Sequence, residues 1–151
     1  MTEIEIRKAR PADSDALRRI CLESKRSWGY SDQFMSRFAQ EIVVDPKSIA
    51  QDQVFVASLE TDVVGWLRVL VEREPVILDD LWVLPKAFGR GVGRALFAKA
   101  VSVVRSTGGA RFELDADPNA QRFYEHMGCV KIGETFTSMG RYIPRMRYSL
   151  A

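Results

Sequence analysis

Three glycines, Gly89, Gly91 and Gly93, stand within five residues. They follow the segment "LWVLP" and run directly into a helical pattern. Glycine costs about 1 kcal/mol relative to alanine inside a helix, so this density serves a turn rather than the helix. A strand, a glycine turn and a helix start together can make an anion site. The first helical N–H groups lack internal acceptors, the dipole adds partial positive charge, and a missing Cβ lets backbone approach a phosphate. The plain alternative is a helix start with no ligand.

Two nucleotide-binding patterns fail at this turn. A Walker loop needs Lys-Ser/Thr after its last glycine, and Gly93 is followed by Arg94-Ala95. A dinucleotide fingerprint needs a third glycine where Arg94 or Leu96 stands, although Glu113 lies about 20 residues on, as that reading requires. Too little chain follows for a doubly wound nucleotide domain, and the strands before the turn read as an antiparallel hairpin.

The elements that must position the turn follow from periodicity. "EIEIRKA" alternates as a first strand, and Ala16, Leu17, Ile20, Cys21 and Ser24 share a face of a first helix. Ser31 caps a second helix through Phe34, Met35, Phe38 and Ile42, which Asp45-Pro46 breaks. "VFVASLE", "VVGWLRVLVE" and "VILDDLWVL" are strands two to four. A helix from about 91 to 107 buries Val92, Leu96, Ala100, Val103 and Val104 and ends at Gly108-Gly109. "ARFELDAD" is strand five; Asp117 and Pro118 start a short helix ended by Gly128. "CVKIGET" and "RMRYSL" are strands six and seven, with "FTSMGRYIP" an irregular loop between them. The order βααβββαβαββ is an α/β (α+β) sheet with helices packed on it, in one domain over 1–151.

Composition narrows the class. The chain is 46% hydrophobic and 28% charged, ordinary for a globular protein. With no membrane-length apolar run and no signal peptide, a cytoplasmic location is expected. Cys21, Cys129 and the single His126 form no metal-ligand spacing, so no metal is expected. Residues 1–83 carry 11 Lys/Arg against 15 Asp/Glu, and residues 84–151 carry 11 against 5. The positive half opens at the glycine turn, which suits a polyanionic ligand or is merely solvated surface. The basic residues are scattered, which argues against nucleic acid.

The turn resembles the pyrophosphate loop of the Gcn5-related N-acetyltransferases (GNAT), Q/R-x-x-G-x-G/A after a strand ending V-x-P. Val83, Pro85, Gly91 and Gly93 are in register, and Phe88 stands where Gln or Arg is usual. "NAQRFYEHMGC" is similar to the family's N-x-x-A-x-x-F-Y-x-x-x-G-F segment at Asn119, Phe123, Tyr124 and Gly128, with Cys129 in place of Phe. The element order agrees over essentially the whole chain. The resemblance implies a mixed, mainly antiparallel sheet of six or seven strands flanked by four helices, strands four and five splayed. It also implies acetyl-CoA as cosubstrate and transfer of its acetyl group to a primary amine of a small molecule or peptide by direct attack. Non-catalytic acyl-CoA binding and a nucleotide-dependent oxidoreductase are the alternatives.

The same resemblance implies site residues. Acetyl-CoA would contact Trp82, Val83, Leu84, the loop Phe88, Gly89, Arg90, Gly91, Val92, Gly93 and Arg94, and Asn119, Phe123 and Tyr124. The Val83 N–H would bind the thioester oxygen. Tyr124 would protonate the departing thiolate; otherwise it is core, since Ala120, Phe123, Tyr124 and Met127 form one helical face. Asp79, four residues before Val83, would take the amine proton or simply pair with a cation, with Glu113 in reserve. Asn119 would touch the cofactor or serve only the helix cap. Trp28, Tyr30 and Phe34 would line the acceptor pocket or pack in the core. Apart from the resemblance, the loop "SMGRYIPRM" is placed to close the other side of that pocket, where the cation Arg141 would hold an acceptor carboxylate. His126 reads as structural. A homodimer is compatible with the strand-rich C-terminus.

Overall fold

The computed structural model describes residues 3–150. Its elements are β1 (Ile4–Lys8), α1 (Ser14–Arg26), α2 (Asp32–Glu41), α3 (Pro46–Gln51), β2 (Gln53–Leu59), β3 (Asp62–Leu70) and β4 (Ile77–Val83). Then come α4 (Val92–Ser106), β5 (Arg111–Asp115), α5 (Gln121–His126), β6 (Val130–Phe136) and β7 (Tyr142–Ser149). The seven strands form one sheet in the order β1-β2-β3-β4-β5-β7-β6, antiparallel except where β4 meets β5. The expected fold class and strand count hold.

Helix α3 is an addition to the four expected. Asp45-Pro46, read as a breaker, is a helix start: the Asp45 side chain accepts from the Lys47 N–H and proline occupies the first turn. Proline is tolerated there because that N–H has no intrahelical partner anyway. The loop expected from Phe136 to Pro144 is also shorter, because β6 and β7 continue to Phe136 and from Tyr142 around a turn. That turn is closed by the Thr137 N–H to the Arg141 carbonyl, 2.9 Å, and the Gly140 N–H to the Thr137 carbonyl, 2.9 Å.

The sheet has two unlike faces. Gly65 on β3 lies against α4: a Cβ there would meet Leu96 at 3.1 Å and Val92 at 3.2 Å, so only glycine admits the helix this closely. Val92, Leu96, Ala100, Val103 and Val104 are all buried, as their spacing predicts. Each buried side chain of this size contributes roughly 1.5–3 kcal/mol. On the other face the Trp82 ring packs against Trp28 and Phe38, both 6.3 Å between centroids.

Two irregularities in β4 shape the region where the sheet opens. First, Arg68 pairs with Asp80 and Val69 with Leu78, so Asp79 is an extra residue without a partner on β3. This is a β-bulge, and it breaks the alternation of side chains along the strand. Second, β4 and β5 pair only at Ile77 and Glu113, with the Glu113 N–H donating to the Val76 carbonyl at 2.9 Å. Beyond that point the strands diverge, as the expected splay requires.

Candidate active site

The chain at Leu84–Val92 is shaped by proline and glycine. Pro85 opens a 3-10 turn, Gly89 has φ +76°, and Gly91 has φ +85° as the residue before α4. L-residues rarely adopt these angles, so both glycines are required by the path. Gly93 has ordinary φ but is needed for space, since a Cβ would lie 3.1 Å from the Phe123 ring. The result is a row of free donors. The N–H groups of Gly89, Gly91, Val92, Gly93 and Arg94 have no acceptor among the described residues, and the first α4 bond is Ala95 N–H to Gly91 O, 3.0 Å.

The end of β4 offers another donor. The Leu84 N–H bonds the Val64 carbonyl at 2.7 Å, which makes Gly65–Val83 a non-hydrogen-bonded pair of the antiparallel ladder. In such a pair the amide and carbonyl point away from the partner strand. The Val83 N–H therefore faces the side from which β5 has diverged. By the same alternation the Leu81 amide faces that side too.

A cleft of about 610 Å³ occupies the split. It brings together Val83, Phe88, Gly89, Gly91, Val92, Gly93 and Arg94 with Asn119, Phe123 and Tyr124, all expected at the cofactor. Trp28, expected on the acceptor side, lines it as well. Ser24, Leu81, Ala87, Ala120, His126 and Met127 join them, beyond the residues expected there. Their signal in the sequence is only positional, since each lies within a turn or strand pair of an expected residue. Trp82, Leu84 and Arg90 do not line the cleft. Trp82 faces α1 and α2, Leu84 is buried, and Arg90 lines a smaller hollow with Lys86 and Asp62.

Tyr124 is 7% exposed, and its ring packs on Phe97 and Phe123. Its hydroxyl has no hydrogen-bond partner among the described residues, although the residue lines the cleft. Burial raises its pKa well above the ordinary phenol value, so the proton stays on at neutral pH. Burial likewise pushes both thiols up, Cys129 to about 12, and neither is a thiolate near pH 7.

The adjacent carboxylates differ. Asp79, in the bulge, has an exposed surface and does not line the cleft. Surrounding protein still displaces enough water to raise its carboxyl, against the pull of Arg68 and Arg73. Asp80 is pushed up to about 7, by burial first and by Asp79 second, with the Trp82 bond and Arg68 opposing. The Arg68 Nε lies 3.2 Å from Asp80 but makes no hydrogen bond, which explains why so close a cation fails to hold the carboxyl down. Glu113 is engaged by two guanidinium groups, Arg145 at 3.0 Å and Arg147 at 3.3 Å.

Beside the cleft lies a cluster no local pattern announces. Lys25 and Asp117 are both buried and pair at 2.6 Å. The Lys25 Nζ also lies 4.8–5.9 Å from the ring centres of Trp28, Tyr30, Phe34, Phe38 and Trp82. Asp117 accepts in addition from the Tyr30 hydroxyl at 2.8 Å, from the Asn119 amide and side chain at 2.8 and 2.9 Å, and from Arg141 at 3.3 Å. It is thus the expected helix cap and an ion-pair centre at once. Burial works to raise its carboxyl, but Lys25 and these donors outweigh that and hold it below the usual range. Burial lowers the Lys25 ammonium, Asp117 pulls it back up, and Arg141 pushes it down. Tyr30 and Phe34 belong here rather than to the cleft wall, stacked at 4.1 Å.

A sheet split along a parallel pair, with a cradle of free amides at the mouth of the split, is the architecture of an acyl-carrier-dependent transferase. Residues 27–150 match the family model described as Acetyltransferase (GNAT) domain, and the chain belongs to that family. No curated protein sequence matches the chain. Among solved structures it is similar to a Gcn5-related N-acetyltransferase of Rhodopseudomonas palustris, at TM-score 0.85 and 23% identity over 99% of this chain and 98% of that one. The PaiA N-acetyltransferase of Thermoplasma acidophilum, in complex with coenzyme A, aligns at TM-score 0.82 and 17% identity over 98% and 99% of the two chains. YncA of Salmonella typhimurium, with its cofactor acetyl-CoA, aligns at TM-score 0.70 and 16% identity over 99% and 95%. Among the described residues no helix is long and apolar enough to cross a membrane, and no group of three His, Cys, Asp or Glu side chains could hold a metal.

Proposed function

We propose that this protein transfers the acetyl group of acetyl-CoA to a primary amine of a small molecule or peptide, by direct attack with both substrates bound. One observation carries the reading: the free amides of Gly89, Gly91, Val92, Gly93 and Arg94 and the outward-facing amide of Val83 belong to residues that line a single cleft at the split in the sheet. The fit is chemical as well as geometric. A diphosphate needs several donors at close range, and a glycine-built helix start supplies them without a side chain in the way. The bound cosubstrate supplies an activated thioester; the remaining steps belong to the chain.

The loop amides hold the diphosphate, and Phe88 adds only apolar surface where relatives in the family carry a polar side chain. The Val83 N–H donates to the thioester oxygen as it gains negative charge. One such donor in a dry site contributes about 3–4 kcal/mol to the barrier reduction. Tyr124 donates its proton to the departing sulfur. A thiolate has a conjugate pKa near 8.5, so a weak acid in position suffices. Asp79, displaced from the cleft by the bulge, takes the amine proton only by relay through water; its raised carboxyl is a better base than an ordinary aspartate.

Calorimetric titration with acetyl-CoA, CoA and NAD tests the cleft assignment, followed by CoA release across a panel of amines. Binding of the first two and not the third is expected. Uptake of NAD alone, or of nothing, overturns it.

A further inference from the structure

The cluster around Asp117 has a charge that does not close. Lys25 and Arg141 share this single carboxylate, and neither pairs with a second one among the described residues. Nearby charges cancel: Arg37 and Glu41 pair at 3.9 Å while both grip Ser138, which fixes the β6–β7 turn on α2. One positive charge is left over, and it sits on Arg141. The Arg141 side chain is 30% exposed, with its guanidinium over the Tyr30 and Phe34 rings at 4.9 and 5.1 Å. Its Nη2 donates to the Tyr30 hydroxyl at 2.8 Å and to Asp117 at 3.3 Å. The hydrogens on Nε and Nη1 have no acceptor among the described residues.

This guanidinium is held in place and still has donors to give. The Tyr30 and Phe34 rings lie under it, the Ser138 anchor fixes the turn that carries it, and buried Lys25 prevents Asp117 from neutralising it. The cluster abuts the cleft through two residues that belong to both, Trp28 and Asn119. We propose that Arg141 is a specificity-determining residue that receives the carboxylate of the acceptor, so that the acceptor is an amine carrying its own carboxylate, of the amino-acid class. The rigid, planar donor fork suits a carboxylate. The leftover positive charge repels diamines and polyamines.

The inference rests on the acetyltransferase reading above, and two readouts separate their failures. The first is acetyl transfer to matched pairs of amino acids and their amides, with diamines and O-phosphorylated amines as further arms. Wild-type enzyme is expected to prefer the acid over its amide by about tenfold or more in kcat/KM. Arg141→Gln removes that preference by raising KM for the acid, with the KM for acetyl-CoA unmoved. Arg141→Lys, which keeps charge without the fork, lies between them and serves if the glutamine variant does not fold. The second readout needs no catalysis: N-acetylated amino acids, unlike their amides, raise the melting temperature of the wild type but not of Arg141→Gln. If acetyl-CoA does not bind yet this protection appears, the acetyltransferase reading falls and the carboxylate site stands. Equal use of acids and amides, preference for diamines or phosphorylated amines, or an acid/amide ratio unchanged in Arg141→Gln overturns the proposal.

Discussion

The loop that lines the cleft and the charged cluster beside it are made of different material. The loop from Phe88 to Arg94 is a backbone site: its donors are amides, its shape comes from two left-handed glycines, and only seven consecutive residues build it. The Lys25–Asp117–Arg141 cluster is a side-chain site. It joins α1 to the start of the α5 segment across 92 positions and to the β6–β7 turn across 24 more. A backbone site tolerates side-chain drift, as Phe88 in place of a polar residue illustrates. A side-chain site depends on every member, because each buried charge there is offset only by its partner.

That contrast can be broken, most severely at Asp117. Asp117→Ala leaves the Lys25 ammonium buried and unpaired, and a loss of about 3–5 kcal/mol is expected in chemical denaturation. Lys25→Met together with Asp117→Leu should recover most of it, because replacing both charges removes the desolvation cost. An unchanged midpoint in the single variant would mean that the pair is dispensable. Tyr124→Phe comes next: kcat is expected to fall about 100-fold with acetyl-CoA affinity and melting temperature intact. A full-rate variant would return Tyr124 to the core and nothing more.

The backbone side yields a smaller effect. A Cβ on Gly89 meets nothing within 4 Å, so Gly89→Asp sets a carboxylate beside the diphosphate cradle without a clash, at the cost of holding an L-residue at a left-handed angle that aspartate accepts better than most. CoA affinity should drop about tenfold in calorimetry while the fold is kept, with a loss of about 1–2 kcal/mol in stability from the left-handed angle. Retained affinity would detach the loop from the cofactor. A pH effect from Asp80 completes the set. Its carboxyl stands at about 7, above its unfolded value, so the native state holds the proton more tightly. The stabilisation is full below about pH 4 and is lost progressively as pH rises through 7. Melting temperatures from pH 4 to 8 should show this decline, and Asp80→Asn should flatten it.

The same contrast explains what the chain's pattern discloses. The glycine loop, α4 and Tyr124 are encoded by local spacing, and Gly91, Gly93, Asn119 and Phe123 fall where the pattern places them, around one cleft. Asp45-Pro46 is a legible helix start that reads equally as an ending, because proline stops one helix and opens the next with the same ring. The bulge at Asp79 is not legible, since periodicity assumes that every residue takes its turn on the ladder. Counting four back from Val83 puts Asp79 on the same face; the extra residue takes it out of that alternation. Lys25 looks like one more solvated lysine near a helix end, because nothing adjacent to it in the chain reveals five rings and a carboxylate arriving from elsewhere.

Among the described residues, Ile77 and Glu113 form the only rung between a four-stranded and a three-stranded half of the sheet. Such a seam is held through the core packed across it more than through its own ladder. A ligand lying in the gap would act as an eighth strand, knitting the halves together. Amide hydrogen exchange along β4 and β5 would then slow on binding, far more than along the continuous ladders on either side.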